Sequence, residues 1–374
     1  MEEILTNRVD DLIKQADDSL IKFIKEGKYQ DVLLNMSNLS NYSMRNQILI
    51  YIQNPEATHV NGMKAWNYYG RSVKKGEKSM KVIAPIIEKV EIHEDSAYEG
   101  PDQEPKYKQV VTGFKVSFVF DITQTDGKEI QKFDSTEEIA REHFEIYKKA
   151  LESCVKNYKF EYGEIEGTSD GYCDYKNRVI KIKEGMPTEK TLTTLIHEIG
   201  HALAEDRDRT NFKGLTPLEQ RKIREIEAES IALVVSNKLG LHTDEFNCSY
   251  ITAWSDGDIE KFRANIDVIR SVSYQIISKI EPEIESGMKL EEINKQEQEK
   301  QKVLDKFYAD MDFGTDSNLV SINKITDNKV YYSLNGTAGV YDIIKEEEKE
   351  QEQPKETTTK KTKQTKKKKE AELC

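Results

Sequence analysis

The segment His197-Glu198-Ile199-Gly200-His201 constrains this chain more than any other stretch of it. Histidines four apart act together on a helix, where positions i and i+4 share a face and two imidazoles can turn to one ion. The helix is legible without the motif: Leu192, Leu195, Ile196, Ile199 and Leu203 form an apolar stripe that begins after Met186-Pro187-Thr188. Glu198 stands beside the pair, where a carboxylate can take the proton of a water that a metal has acidified. With six histidines in 374 residues, an accidental match is a roughly one-in-a-hundred event. Gly200 costs its helix about 1 kcal/mol against Ala, so it suggests that something packs close to the helix, simple helix–helix packing being the plain reading.

Two imidazoles do not complete a metal site, and a third protein ligand is expected. A second helix is punctuated at both ends: Thr216 as N-cap, Pro217 at its first position, Glu219 to close a capping box, and Gly240 to end it. It carries Glu225, Glu227 and Glu229, with Ile223, Ile226, Val234 and Leu239 on its apolar face. Glu225 and Glu229 share a face while Glu227 points elsewhere, so one carboxylate of the pair can bind metal and the other hold a ligand histidine. An exposed acidic face is the plainer meaning of such a run; Ala228 and Ala232 favour close packing instead. Tyr250 and His242 are the weaker candidates for an oxyanion-stabilising group, Tyr250 being equally suited to packing.

Along the chain, residues 1–35 read as helix, 79–92 and 108–122 as strands, and 135–158 as helix. A strand pair, Gly171–Tyr175 and Arg178–Lys183, turns at Asn177. Residues 281–305 are mostly Glu, Lys and Gln, 317–344 suit a small β unit, and from Lys345 the chain is a charged tail with a Lys-rich run at Lys360–Lys369, expected to be disordered. The fold class expected is α+β. No signal sequence, apolar span or paired-cysteine pattern is visible, which predicts a cytoplasmic protein with no membrane partner.

The net charge of −12 argues against general nucleic-acid binding, but it hides a reversal. Between Met36 and Pro85, five Lys and two Arg face only Glu56 and Glu77, a local charge of +5. The cations are mixed with rings. Tyr42, Tyr51 and Trp66 can stack on bases, Arg45, Arg71, Lys74, Lys75 and Lys78 can follow phosphates, and Asn46 and Gln47 can reach base edges or sugars. On composition alone, a small α+β domain with an aromatic core and a solvated basic loop explains the same residues.

The run His197-Glu198-Ile199-Gly200-His201-Ala202-Leu203 with Glu225 and Ala228 resembles gluzincin-type metallopeptidases, especially the IrrE/ImmA group. That resemblance implies Zn2+ on His197, His201 and Glu225, with Glu198 catalytic and Glu229 supporting the ligands. It also implies that Arg178–Lys183 is the edge strand that pairs with an extended peptide or protein substrate. The metzincin pattern HExxHxxGxxH is missing. Ser40 to Gln47, Val82-Ile83-Ala84-Pro85 and Val119 to Thr125 are similar to the N-terminal domain of ArdC-type antirestriction proteins of conjugative plasmids. This second resemblance implies single-stranded DNA as a partner and a service to a mobile element. The modules expected are an ArdC-like DNA-binding domain at 1–130, a zincin-like domain at 135–285, a linker with a small β unit at 286–344, and the tail at 345–374. Two functions compete: a zinc metallopeptidase coupled to single-stranded DNA, and a non-proteolytic DNA-protecting protein whose metal is structural.

Overall fold

The computed structural model describes residues 2–39, 41–91, 107–130, 133, 135–205, 212–241, 259–311, 320–326, 329–334 and 336–342. Two units follow from its contacts, Met1–Met288 and Lys289–Cys374. Both mix helix and strand.

The first unit opens with helices α1 (Glu2–Lys25), α2 (Tyr29–Asn38) and α3 (Met44–Gln53). The single helix expected over 1–35 is thus two. Gly27, at φ +70°, lets the chain reverse, and the N–H groups of Gly27 and Lys28 close back on the carbonyls of Ile24 and Phe23. Strand β1 (Val60–Gly62), helix α4 (Met63–Tyr68) and strand β2 (Arg71–Val73) lead into a long hairpin of β3 (Met80–Glu91) and β4 (Tyr107–Asp121). The sheet order is β1-β4-β3, and β2 pairs with β5 (Thr125–Gly127). Met80, Val82 and Val119 turn one hairpin face into a core shared with Leu39, Ile50, Ala57 and Val60.

Helices α5 (Glu137–Glu142) and α6 (Phe144–Glu152) replace the one helix expected over 135–158. Strands β6 (Lys159–Gly163), β7 (Gly171–Asp174) and β8 (Val179–Lys183) form a second sheet in the order β6-β8-β7, parallel between β6 and β8 and antiparallel between β8 and β7. Helix α7 (Thr188–Glu205) packs on it, α8 (Pro217–Lys238) packs on α7, and α9 runs Ile259–Asp310. The ends of α8 are those the sequence announces. Thr216 and Glu219 exchange both capping-box bonds, and Gly240 adopts φ +67°, where a Cβ would stand 2.3 Å from the Ser135 carbonyl oxygen.

The division expected near residues 130–135 does not coincide with a break in packing. One core cluster takes Leu20, Leu33 and Met36 from the first helices together with Leu195, Ile199, Ile231 and Val235 from α7 and α8. Helix α2 lies along α8, where the Tyr29 hydroxyl meets Ser230 Oγ at 3.3 Å and Asn237 Nδ2 donates to Ser37 Oγ at 2.7 Å.

In the second unit, β9 (Val320–Thr326), β10 (Lys329–Leu334) and β11 (Thr337–Asp342) form an antiparallel sheet with β10 central. The buried Phe307 packs its ring 5.0 Å from Tyr332 and 5.4 Å from Tyr341. The charged tail at 345–374 lies outside the described residues. Among those residues, no helix is long and apolar enough to cross a membrane.

Candidate metal centre

Helix α7 presents His197 and His201 one turn apart with their Nε2 atoms 3.0 Å from each other. Helix α8 brings Glu225 Oε2 to 3.7 Å from His197 Nε2 and 3.5 Å from His201 Nε2. A tetrahedral ion with bonds of about 2.0–2.1 Å separates its donor atoms by roughly 3.3 Å, which these spacings bracket. Two imidazole nitrogens and a carboxylate oxygen, all within 4.8 Å of one another, are a donor set that suits a divalent transition ion. Gly200 makes the approach of the helices possible: a Cβ there would lie 3.3 Å from Ile231 Cγ2 and 3.6 Å from Ala228 Cα. Helix on helix is thus the reading of that glycine that the structure takes, and its consequence is the position of Glu225. Arg224, the next residue, ties α8 to the end of α7 with Nε donating to Glu205 Oε2 at 2.7 Å.

The electrostatics follow from burial and proximity. Hydrogen bonds from His197 and His201 hold the Glu225 carboxyl far below the usual range. Burial pushes both imidazoles down; at His201 it prevails, whereas at His197 the bond to Glu225 and the charge of Glu198 outweigh it and raise the pKa. Glu198 is 6% exposed, and burial pushes its carboxyl up to about 7. Such a group can hold or release a proton near neutrality. Glu229 is raised by burial and lies in the field of His197, but among the described residues it makes no hydrogen bond to either histidine. Glu227 is fully buried and is not one of the three convergent donors.

The edge strand is not the one the sequence reading selects. Arg178–Lys183 is β8, in the middle of its sheet, flanked by β6 and β7 and with its hydrogen-bonding groups taken on both sides. Among the described residues, β7 is the edge strand of this sheet that packs beside α7. Its first residue, Gly171, was not singled out in the sequence. A Cβ there would stand 2.8 Å from Thr194 Cγ2 and 3.2 Å from Glu198 Cγ and Oε1, so only glycine leaves Glu198 its place. Cys173, further along β7, has its thiol pushed up to about 12 by burial and by the charge of Glu198. His242 and Tyr250 lie outside the described residues.

Most of the residues selected for DNA are spent on the fold. Trp66 is fully buried and donates its indole N–H to the Phe120 carbonyl at 2.9 Å. Asn46 bonds the backbone of Ile83 in both directions at 2.8 Å, and Gln53, seven residues on, does the same for Lys81 at 2.9 and 3.0 Å. Helix α3 thereby covers the outer edge of β3. Gln47 donates to the carbonyls of Leu39 and Tyr42. Tyr42 donates to the Val60 carbonyl at 3.0 Å, with burial raising its pKa to about 12. Arg71 grips Thr125 and the Lys128 carbonyl, Arg45 pairs with Asp17 at 3.2 Å, and Tyr51 packs edge-on against Phe23. Lys74 donates to the Thr123 carbonyl at 2.9 Å. Lys75 and Lys78 are exposed and, among the described residues, in no ion pair.

The aromatic surface lies elsewhere. Tyr68 is 88% exposed, and Phe114 and Phe118 are each more than half exposed on the hairpin face opposite Val119. Phe114, Val116 and Phe118 alternate in the sequence with Lys115, Ser117 and Val119, and that period of two was the available signal.

Residues 1–120 match the family described as the N-terminal domain of anti-restriction factor ArdC. An uncharacterized protein of Bacillus anthracis is 26% identical over 299 residues, 71% of this chain and 50% of that protein. The chain therefore spans about half the length of the curated relative it matches. Two crystal structures of the antirestriction ArdC protein from the R388 plasmid are also similar. The metal-free one has a TM-score of 0.39 at 17% identity, and the Mn(II)-bound one 0.40 at 16%. Each alignment covers 74% of this chain and 97% of the other.

Proposed function

We propose that this protein is a zinc-dependent metallopeptidase coupled to single-stranded DNA binding, serving a mobile element by protecting its DNA against restriction. The observation that carries the hydrolytic reading is the buried Glu198 beside three convergent donors, His197, His201 and Glu225. Glu225 is 48% exposed, which leaves the donor set open to solvent on one side, as a catalytic site requires and a closed structural site does not. Zinc held by these residues supplies Lewis acidity to a water and to a carbonyl. Glu198 takes the proton of the attacking water and returns it to the leaving nitrogen. The free side of β7 offers backbone groups to an extended peptide, which Gly171 lets pass close to Glu198. The match of residues 1–120 to the N-terminal domain of an anti-restriction factor supports the DNA partner and the protective role.

Glu198→Gln separates this reading from a structural metal. The variant is expected to keep about one metal ion per chain by elemental analysis and to lose hydrolysis of a fluorogenic peptide library. If DNA protection in a restricting host survives in the His197→Ala, His201→Ala double variant with the fold intact, protection needs no metal and the link between the peptidase and that role fails.

A further inference from the structure

The loop between β2 and β3 is fixed by bonds that exclude two of its lysines. Lys74 reaches the Thr123 carbonyl and lies 3.7 Å from Asp126. Glu77 accepts from Gln124 Nε2 at 2.9 Å, and the same nitrogen donates to the Lys78 carbonyl at 2.9 Å. Gly76, at φ +94°, turns the loop between them. Lys75 and Lys78 line a cleft of about 510 Å³ together with Gln53, Asn54, Met80, Gln124 and Glu77, whose carboxylate is engaged by Gln124 Nε2.

The polar groups of the walls are unequally used. Gln53 holds the β3 edge through both ends of its amide. Gln124 is equally committed, its Oε1 accepting from the Asp121 N–H at 2.9 Å. Asn54 differs: its Oδ1 accepts from the Glu56 N–H at 3.3 Å, while its Nδ2 has no partner among the described residues. The cleft thus joins an unused amide donor to two unpaired ammonium groups. Over residues 71–81 the sequence holds five cations, Arg71, Lys74, Lys75, Lys78 and Lys81, and one carboxylate, Glu77, and with Lys74 paired to Asp126 the local excess is still positive, so an anion is attracted. The volume lies in the range of small-ligand sites. It has room for one unstacked nucleotide.

We propose that this cleft is a nucleotide subsite for one unit of a single DNA strand, with the phosphate on Lys75 and Lys78 and a carbonyl of the base accepting from Asn54 Nδ2. This rests on the single-stranded DNA reading and places its contacts away from Trp66 and Asn46. Phosphate capture by lysines carries no sequence information, and one amide donor can serve thymine, cytosine or guanine, so the subsite discriminates weakly among bases.

The test uses the full chain and a fluorescein-labelled oligothymidylate of about 20 nucleotides, followed by anisotropy over a salt series. The Lys75→Gln, Lys78→Gln double variant is expected to bind about tenfold more weakly near 0.1 M salt. Its salt slope should be flatter by about 1.4, two contacts at about 0.7 each on a single strand. Metal content and melting temperature should stay those of the wild type. In a second measurement, wild-type protein is photocrosslinked to an oligonucleotide carrying 5-iododeoxyuridine, and the adducts are expected on peptides containing Asn54 or residues 74–81. A double variant with wild-type affinity and slope, or adducts confined to other segments, overturns the subsite and leaves DNA binding standing. Wild-type protein that ignores the oligonucleotide overturns the DNA reading beneath it. Binding of free thymidine monophosphate without binding of the strand overturns the assignment to a strand.

Discussion

Two glycines, Gly200 and Gly171, shape the candidate metal centre at the residue scale, and each acts through what a methyl group would hit. Gly171→Ala would drive its Cβ to 2.8 Å from Thr194 and 3.2 Å from the Glu198 carboxylate. Overpacking of that kind costs about 1–3 kcal/mol. The expected result is a peptidase activity reduced well beyond the loss of folded protein, with metal content unchanged, since Gly171 touches the base and not the donors. Full activity in this variant would place the substrate away from β7. At Glu225 the expectation is the opposite: Glu225→Ala should weaken metal affinity by more than about 100-fold, because even the partners that only orient ligands are worth about 10–100-fold. Calorimetric titration with zinc decides it. Trp66→Phe removes a bond to the Phe120 carbonyl, for a stability loss of about 1–3 kcal/mol in urea unfolding. DNA affinity per folded molecule should not change, whereas a ring stacked on a base would cost binding directly.

The elements show where local signals suffice. Helix α7 was legible from its apolar stripe and α8 from its caps and terminal glycine, and the agreement is physical: apolar residues that define the period are buried in the core. Thr216→Ala should cost about 1 kcal/mol by removing the cap that Glu219 reciprocates, measured as a shift in the unfolding midpoint. The strand pair β7 and β8 was also legible, but its place in the sheet was not. Which strand is an edge depends on β6, which arrives in parallel from another part of the chain and takes the open side of β8. The aromatic residues of the basic stretch failed for a related reason. Composition says that rings and cations are close in sequence, and not which ring faces inward.

At the scale of the molecule, the shared core predicts that the first 288 residues unfold as one cooperative body. Residues 1–130 made alone would expose the α2 face carrying Leu33 and Met36, which α8 and its neighbours cover. That fragment is expected to aggregate or to unfold at lower denaturant than the full chain. Metal binding should raise the stability of the whole unit, by about 4 kcal/mol at a thousandfold excess over Kd. A single thermal transition that shifts with zinc and collapses with chelator is the predicted scan. A zinc-insensitive transition for the N-terminal helices would show them to be a separate domain.

By itself the sequence determined the helices of the metal centre, the two histidines and the carboxylate between them, and the α+β class. Each of these depends on periodicity and end signals within about twenty residues. Only the tertiary structure decided that Glu225 reaches both histidines, that β7 and not β8 is the open edge, that Trp66 and Asn46 serve the fold, and that Lys75 and Lys78 are left over a cleft. These outcomes depend on which distant surfaces meet, and burial is a property of the meeting rather than of the residue.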